Sequence, residues 1–131
     1  MRPLPIRPLL ALAVLLAGAP VGHAAGLPHV VVFFQSWSAN LDDAATHAIQ
    51  TAADWAKQHP QDTVTVLGFA SPVGSNAANQ DLSRLRAQIV SDTLVADGVP
   101  VERIQRRALG SLPDANDEQE ARRVEIALGA E

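Results

Sequence analysis

The sequence predicts an α/β (α+β) domain, a two-layer sandwich of βαβαββ order in which a mixed four-stranded sheet carries its helices on one face. Three observations point to it. Dense β-branched or alternating runs recur at Val30–Phe34 (VVVFF), Thr63–Phe69 (TVTVLGF), Ile104–Leu109 and Arg123–Leu128 (RVEIAL). Between the first three of these runs stand two longer segments with apolar residues every three or four positions, the period of one helical face. An order of strand, helix, strand, helix, strand, strand packs as two layers, with right-handed crossovers joining the strands that run parallel.

Each element has its own signal. Val30–Phe34 is apolar throughout, as in a buried strand, and stops at the polar Gln35-Ser36-Trp37-Ser38. Leu41, Ala45, Ile49, Ala52 and Ala56 place one apolar face on a helix over Leu41–His59. Asp42 and Asp43 suit the positive end of its dipole, and Pro60 stops it. Thr63–Phe69 alternates and is closed by the loop Ala70-Ser71-Pro72-Val73-Gly74. A second helix is predicted over Asn76–Ala96, with Leu82, Leu85, Ile89 and Thr93 as its inward stripe, widened by Val90 and Leu94, and Asp97-Gly98 as its C-terminal cap. Pro100–Arg103 reads as a helical turn before the third strand, and Pro113–Gln119 as a polar loop ending in a turn before the fourth.

The N-terminus has a different composition. Arg2 and Arg7 form a short basic region, Leu9–Ala19 (LLALAVLLAGA) is uncharged and apolar, and Gly22-His23-Ala24 satisfies the small-x-small rule of a signal peptidase site. The apolar run is about 11 residues, whereas a membrane-spanning helix needs roughly 20. Residues 1–24 are therefore expected to be a cleaved export signal, cut after Ala24 or Ala25, and residues 25–131 a single domain with no transmembrane segment once the signal is removed. The chain has no cysteine, so it has no disulfide and no lipid-bearing cysteine. Removal of Arg2 and Arg7 leaves 8 basic against 14 acidic residues, a net charge of −6. Electrostatic capture of nucleic acid or of an anionic membrane surface is excluded on that balance.

Catalytic and metal chemistry find no support. His47 and His59 are twelve residues apart on the first helix, too far to share a metal, while His23 leaves with the signal and His29 only precedes the first strand. Gly68–Gly74 lacks the GxSxG pattern of a serine nucleophile. Neither an enzyme nor a cofactor is expected.

The remaining polar residues form a spaced pattern. Phe34, Ser38 and Leu41 follow the first strand, Gly68 and Gly74 bracket the loop, and Asn79, Leu82, Ser83, Arg86 and Ala87 form NxxLSxxRA on the second helix. Gly98, Val99, Pro100, Arg103, Ile104 and Gly110 come next, then RRVEI at Arg122–Ile126. Over Val30–Leu128 this resembles the OmpA-like domain family, whose members hold peptidoglycan in Gram-negative envelopes. The resemblance implies a periplasmic protein, associated with the outer membrane through peptidoglycan or a partner. It also implies a site in which a loop aspartate takes the ammonium of the diaminopimelate in a stem peptide and a helix arginine takes its carboxylate. By position the arginine is Arg86. The aspartate position of the family's GHTDxxG falls on Ser71, since GFASPVG aligns with it residue for residue.

Serine supplies no charge. A charged hydrogen bond contributes roughly 1.5–3 kcal/mol against about 1 for a neutral one. The loss is then up to ~2 kcal/mol, some tenfold to thirtyfold in affinity. Gln35 and Trp37 also stand where the family's FDFDS carries aspartates, Phe69 stands at its histidine, and Ala121 replaces its asparagine.

The candidate ligand residues are thus Arg86, Ser71, Asn79, Trp37 and Arg122, and each has a plainer alternative. Arg86 is either a ligand group or a helix-surface arginine paired with Asp81 or Glu102. Arg122 and Arg123 are either site residues or a solubility device on an edge strand. Asn79 either contacts ligand or closes the loop onto the helix, and Trp37 either stacks on ligand or covers the core. The expected partner is the stem peptide. The alternative is a structural or protein-interaction module that kept the fold and lost the ligand, with an envelope protein as its partner. Intact-mass measurement of the exported protein is expected to place its first residue at Ala25 or Gly26, and a mass that retains Arg2 and Arg7 would show that the leader is not removed.

Overall fold

The computed structural model describes residues 28–111 and 118–129; the predicted export signal and the loop residues 112–117 lie outside them. The element order is β1 (His29–Phe33), α1 (Asp43–Gln58), β2 (Val64–Ala70), α2 (Asn76–Ala96), a 3-10 turn (Val101–Arg103), β3 (Ile104–Ser111), α3 (Glu118–Ala121) and β4 (Arg123–Leu128). The sheet order is β1-β4-β2-β3. β4 runs antiparallel to both β1 and β2, and β2 is parallel to β3, so the sheet is mixed as expected. Where β2 meets β3, a bulge after Gly68 skips Leu109, because Gly68 pairs with Ala108 and Phe69 with Gly110.

Local chemistry sets the helix ends. Asp42 caps α1 by accepting from the Ala45 N–H at 2.7 Å, and Ser75 caps α2 by accepting from Ala78 N–H at 3.1 Å. α2 ends with Gly98 in the left-handed region (φ +104°) and the Val99 N–H reaching back to Leu94 O. The end of α1 and the turn after it are held by Arg103, which donates through Nη1 to Ala56 O, through Nη2 to His59 O and through Nε and Nη2 to Asp62 O, all within 2.7–3.0 Å.

The core lies between one face of the sheet and the two long helices. Val32, Val64, Val66, Val124, Ile126 and Leu128 meet Ala45, Ile49, Ala52, Ala53 and Ala56 of α1 and Ala87, Val90 and Leu94 of α2. Every second residue of β4 is buried, the period of a half-covered strand. The other side of the sheet is more open, with Val31 and Phe33 among the exposed large apolar residues.

Two expectations are corrected. The inward face of α2 consists of Asn79, Ser83, Arg86, Ala87, Val90, Ser91 and Leu94. The stripe Leu82–Leu85–Ile89–Thr93 lies beside it, with Leu85 49% exposed. The reason is closeness: a Cβ on Gly68 of β2 would run into the Ser83 carbonyl oxygen, so where α2 meets Gly68 it takes the small Ser83 and Ala87, and Leu82 and Leu85 lie beside them. Second, Arg122 and Arg123 cannot protect a sheet edge, because β4 is an inner strand and both arginines are partly buried. Arg123 instead bonds Glu125 and Glu120 O and lies over the Phe69 ring at 4.9 Å.

Gly68→Ala is expected to destabilise the domain by about 1–3 kcal/mol, the usual cost of overpacking. Urea unfolding would register this as a lower midpoint at unchanged slope, and a wild-type midpoint would show that α2 can move off the strand freely.

Candidate functional site

The topology gathers the candidate residues at one end of the sheet. β1 and β2 both run against β4, so the segments leaving β1 and β2 meet the residue that enters β4. Those segments carry Trp37 and Ser71, the entering residue is Arg122, and the first turns of α2 bring Asn79 and Arg86.

Arg86 is fully buried. Its Nε donates to Ser38 O at 2.8 Å, Nη2 to Gln35 O at 3.0 Å and Nη1 to Phe69 O at 3.3 Å, and its guanidinium lies 5.1 Å from the Phe34 ring centroid. The surface pairing is not formed, and Asp81 is held by Arg84 instead. A guanidinium has five N–H donors. Three are used here, leaving one on each Nη.

Burial, and secondarily repulsion from Arg122, lowers the Arg86 pKa from the ordinary arginine value to about 10. It remains a cation throughout the physiological range. For a base with a depressed folded pKa, the cost of burying the charge is present in full below about 10 and is relieved only as pH rises above it.

The loop after β2 holds its shape without a ligand. Ser71 Oγ accepts from the Val73 N–H at 3.1 Å, forming a local side-chain turn. Asn79 Nδ2 donates to Val73 O at 2.8 Å and Ser75 O at 3.0 Å, which is the loop-closing alternative foreseen for it. Gly74 has φ +94°, and a Cβ there would lie 2.8 Å from Trp37 Cη2. Trp37 itself sits at φ 52° and is 58% exposed. It therefore covers the loop and not the core.

Arg122 donates from Nε to Phe34 O at 3.1 Å, and its Nη1 lies 3.4 Å from Glu118 Oε1. All five candidates, Arg86, Ser71, Asn79, Trp37 and Arg122, line one crevice. It is small and open to solvent, with room for roughly one water between its walls. The sequence reading missed Ser36 and Glu118, which also line it. Glu118 had one usable signal, its four-residue spacing from Arg122 in a helical turn. Among the described residues no cluster of acids and histidines could hold a metal, and no helix is long and apolar enough to cross a membrane.

The family model described as the OmpA family matches residues 33–126. The chain belongs to the OmpA family. It is 38% identical over 88 residues to outer membrane protein A of Serratia odorifera, covering 66% of this chain and 36% of that protein. It is 34% identical over 103 residues to the probable lipoprotein YiaD of Escherichia coli K12, covering 74% and 47%. The chain thus spans less than half the length of these curated relatives. Among solved structures, the peptidoglycan-associated lipoprotein of Burkholderia pseudomallei superposes with a TM-score of 0.70 at 25% identity, over 75% of this chain and 88% of that one. The OmpA-like domain of FopA1 from Francisella tularensis gives 0.70 at 27%, over 78% and 71%. OmpA-like domains are non-enzymatic structural or binding modules, and this chain carries one.

Arg86→Ala would take a donor from the Ser38 and Phe69 carbonyls and leave Gln35 O with the Ser38 N–H, at about 1–3 kcal/mol for each carbonyl left buried and unsatisfied. A loss of at least ~2 kcal/mol is expected, and Arg86→Lys, which cannot span all three oxygens, should fall between. Thermal or urea melts measure this; an Arg86→Ala midpoint equal to wild type would sink the structural role of the guanidinium.

Proposed function

We propose that this chain is an exported OmpA-like module of the periplasm, in which residues 25–131 form the domain and the crevice holds a peptidoglycan stem peptide weakly. The observation that supports this most is the convergence of two guanidiniums, Arg86 and Arg122, on one crevice with a hydroxyl and an amide. A planar guanidinium suits a carboxylate, and Arg86 keeps one N–H on each Nη for it. Ser71 already accepts the Val73 N–H, so its own hydrogen is free to be donated to an anion. Trp37 covers the adjoining loop, where an aromatic face can pack on a ligand. The peptidoglycan-associated lipoprotein among its structural neighbours supports the same reading.

A second reading has an observation of its own. Arg86 already holds three backbone oxygens, and the crevice has space for about one water. On that basis the chain is a structural or protein-interaction module that kept the fold and binds an envelope protein in place of peptidoglycan.

Co-sedimentation with purified sacculi separates the two. The useful variants are Ser71→Asp and Arg122→Gln, since Arg86→Ala would confound binding with folding. Weak retention of wild type, a gain of about tenfold in affinity for Ser71→Asp and a loss for Arg122→Gln are expected. If neither wild type nor Ser71→Asp is retained, the peptidoglycan reading is wrong and the second stands.

A further inference from the structure

The crevice contains one acidic group, and neither the loop nor α2 provides it. Glu118, the first residue of α3, lines it together with Ser71, Arg86 and Arg122, and among the described residues it is the only carboxylate that does so. Glu118 is held by a single 3.4 Å ion pair to Arg122 Nη1, and its side chain is 51% exposed. A one-pronged, half-exposed pair of this kind binds its partners weakly. Arg122 does not depend on it for position, because its Nε is fixed to Phe34 O at 3.1 Å. Glu118 can therefore turn to another cation while Arg122 stays in place.

The charge pattern gives that freedom a consequence. Without Glu118 the crevice would offer two guanidiniums, a hydroxyl and an amide, and would accept almost any small anion. With it, positive charge from α2 and negative charge from α3 border the same small space. Such a pair matches a ligand end that carries a carboxylate and an ammonium on one carbon. We propose that Glu118 supplies the acidic half of the site, its carboxylate meeting the ammonium of a ligand whose carboxylate lies against Arg86. The charge absent at Ser71 is then provided from α3. This assignment rests on the crevice being the ligand site, as read under Proposed function.

The test uses the mature domain at about 0.15 M salt, where long-range charge effects are screened. NMR shift titrations are run with diaminopimelate and with pimelate, the same chain without its ammonium groups. Wild type is expected to bind diaminopimelate roughly tenfold more tightly than pimelate, the scale of one charged hydrogen bond. Glu118→Gln should weaken diaminopimelate by a similar factor and cancel the preference, while Glu118→Asp keeps part of it. Asp54→Asn removes one negative charge from α1, outside the crevice, and should leave the preference intact. A Glu118→Gln protein that keeps the wild-type preference overturns the assignment, and so does a wild type that binds both molecules equally. Binding of neither molecule by wild type overturns the crevice as a ligand site and the role of Glu118 with it.

Discussion

The fold around the crevice depends on one buried cation. The Arg86 guanidinium joins carbonyls of the segment leaving β1, Gln35 and Ser38, to the Phe69 carbonyl near the end of β2. Those strands are not neighbours, because β4 lies between them. At this end no backbone ladder joins the two segments, and a side chain from α2 does it. Desolvating the charge opposes folding, as the lowered pKa shows. Three charge-assisted bonds and the Phe34 ring offset that penalty.

Arg103 shows that such a clamp needs no ligand. At the far end of α1 it takes the carbonyls of Ala56, His59 and Asp62 with the same fork of donors, tying the helix end to the turn before β3. Both arginines gather backbone oxygens where elements end, several of which also accept a turn N–H. The presence of Arg86 is therefore explained by folding alone. What suggests a ligand is the company it keeps: a second guanidinium, a hydroxyl with its hydrogen free and an acid, all lining one crevice.

The elements were legible because their signals are local. VVVFF is a dense apolar run, TVTVLGF and RVEIAL carry strand alternation in a few residues, and Pro60 and Gly98 mark helix ends by fixed chemistry. α2 shows where local reading stops. Its extent was readable, with Asp97-Gly98 closing it, yet its inward face was not, because hydrophobic period selects leucines while contact with Gly68 selects Ser83 and Ala87. The inner position of β4 was hidden for a related reason, since strand order comes from pairings that no single segment records. Within the site, Arg86, Ser71 and Asn79 could be placed through spacing and resemblance. Glu118 could not, because it comes from a short turn that only the fold brings to the crevice.

The same geometry explains how the site could change charge without losing shape. Ser71 Oγ accepts the Val73 N–H, a bond that one oxygen of an aspartate could equally accept. Asn79 holds the loop from behind through Val73 O and Ser75 O, and Gly74 rests against Trp37. None of these contacts needs a carboxylate at position 71. Shape is carried by backbone oxygens, the Arg86 guanidinium, one amide and the Gly74–Trp37 contact, whereas the charge that faces Arg86 is carried by a half-exposed side chain that bears little of the fold. An acid can therefore be absent from the loop and present on α3 without altering the frame that holds Arg86. The crevice is in this sense a rigid socket whose electrostatic content is set separately from its form.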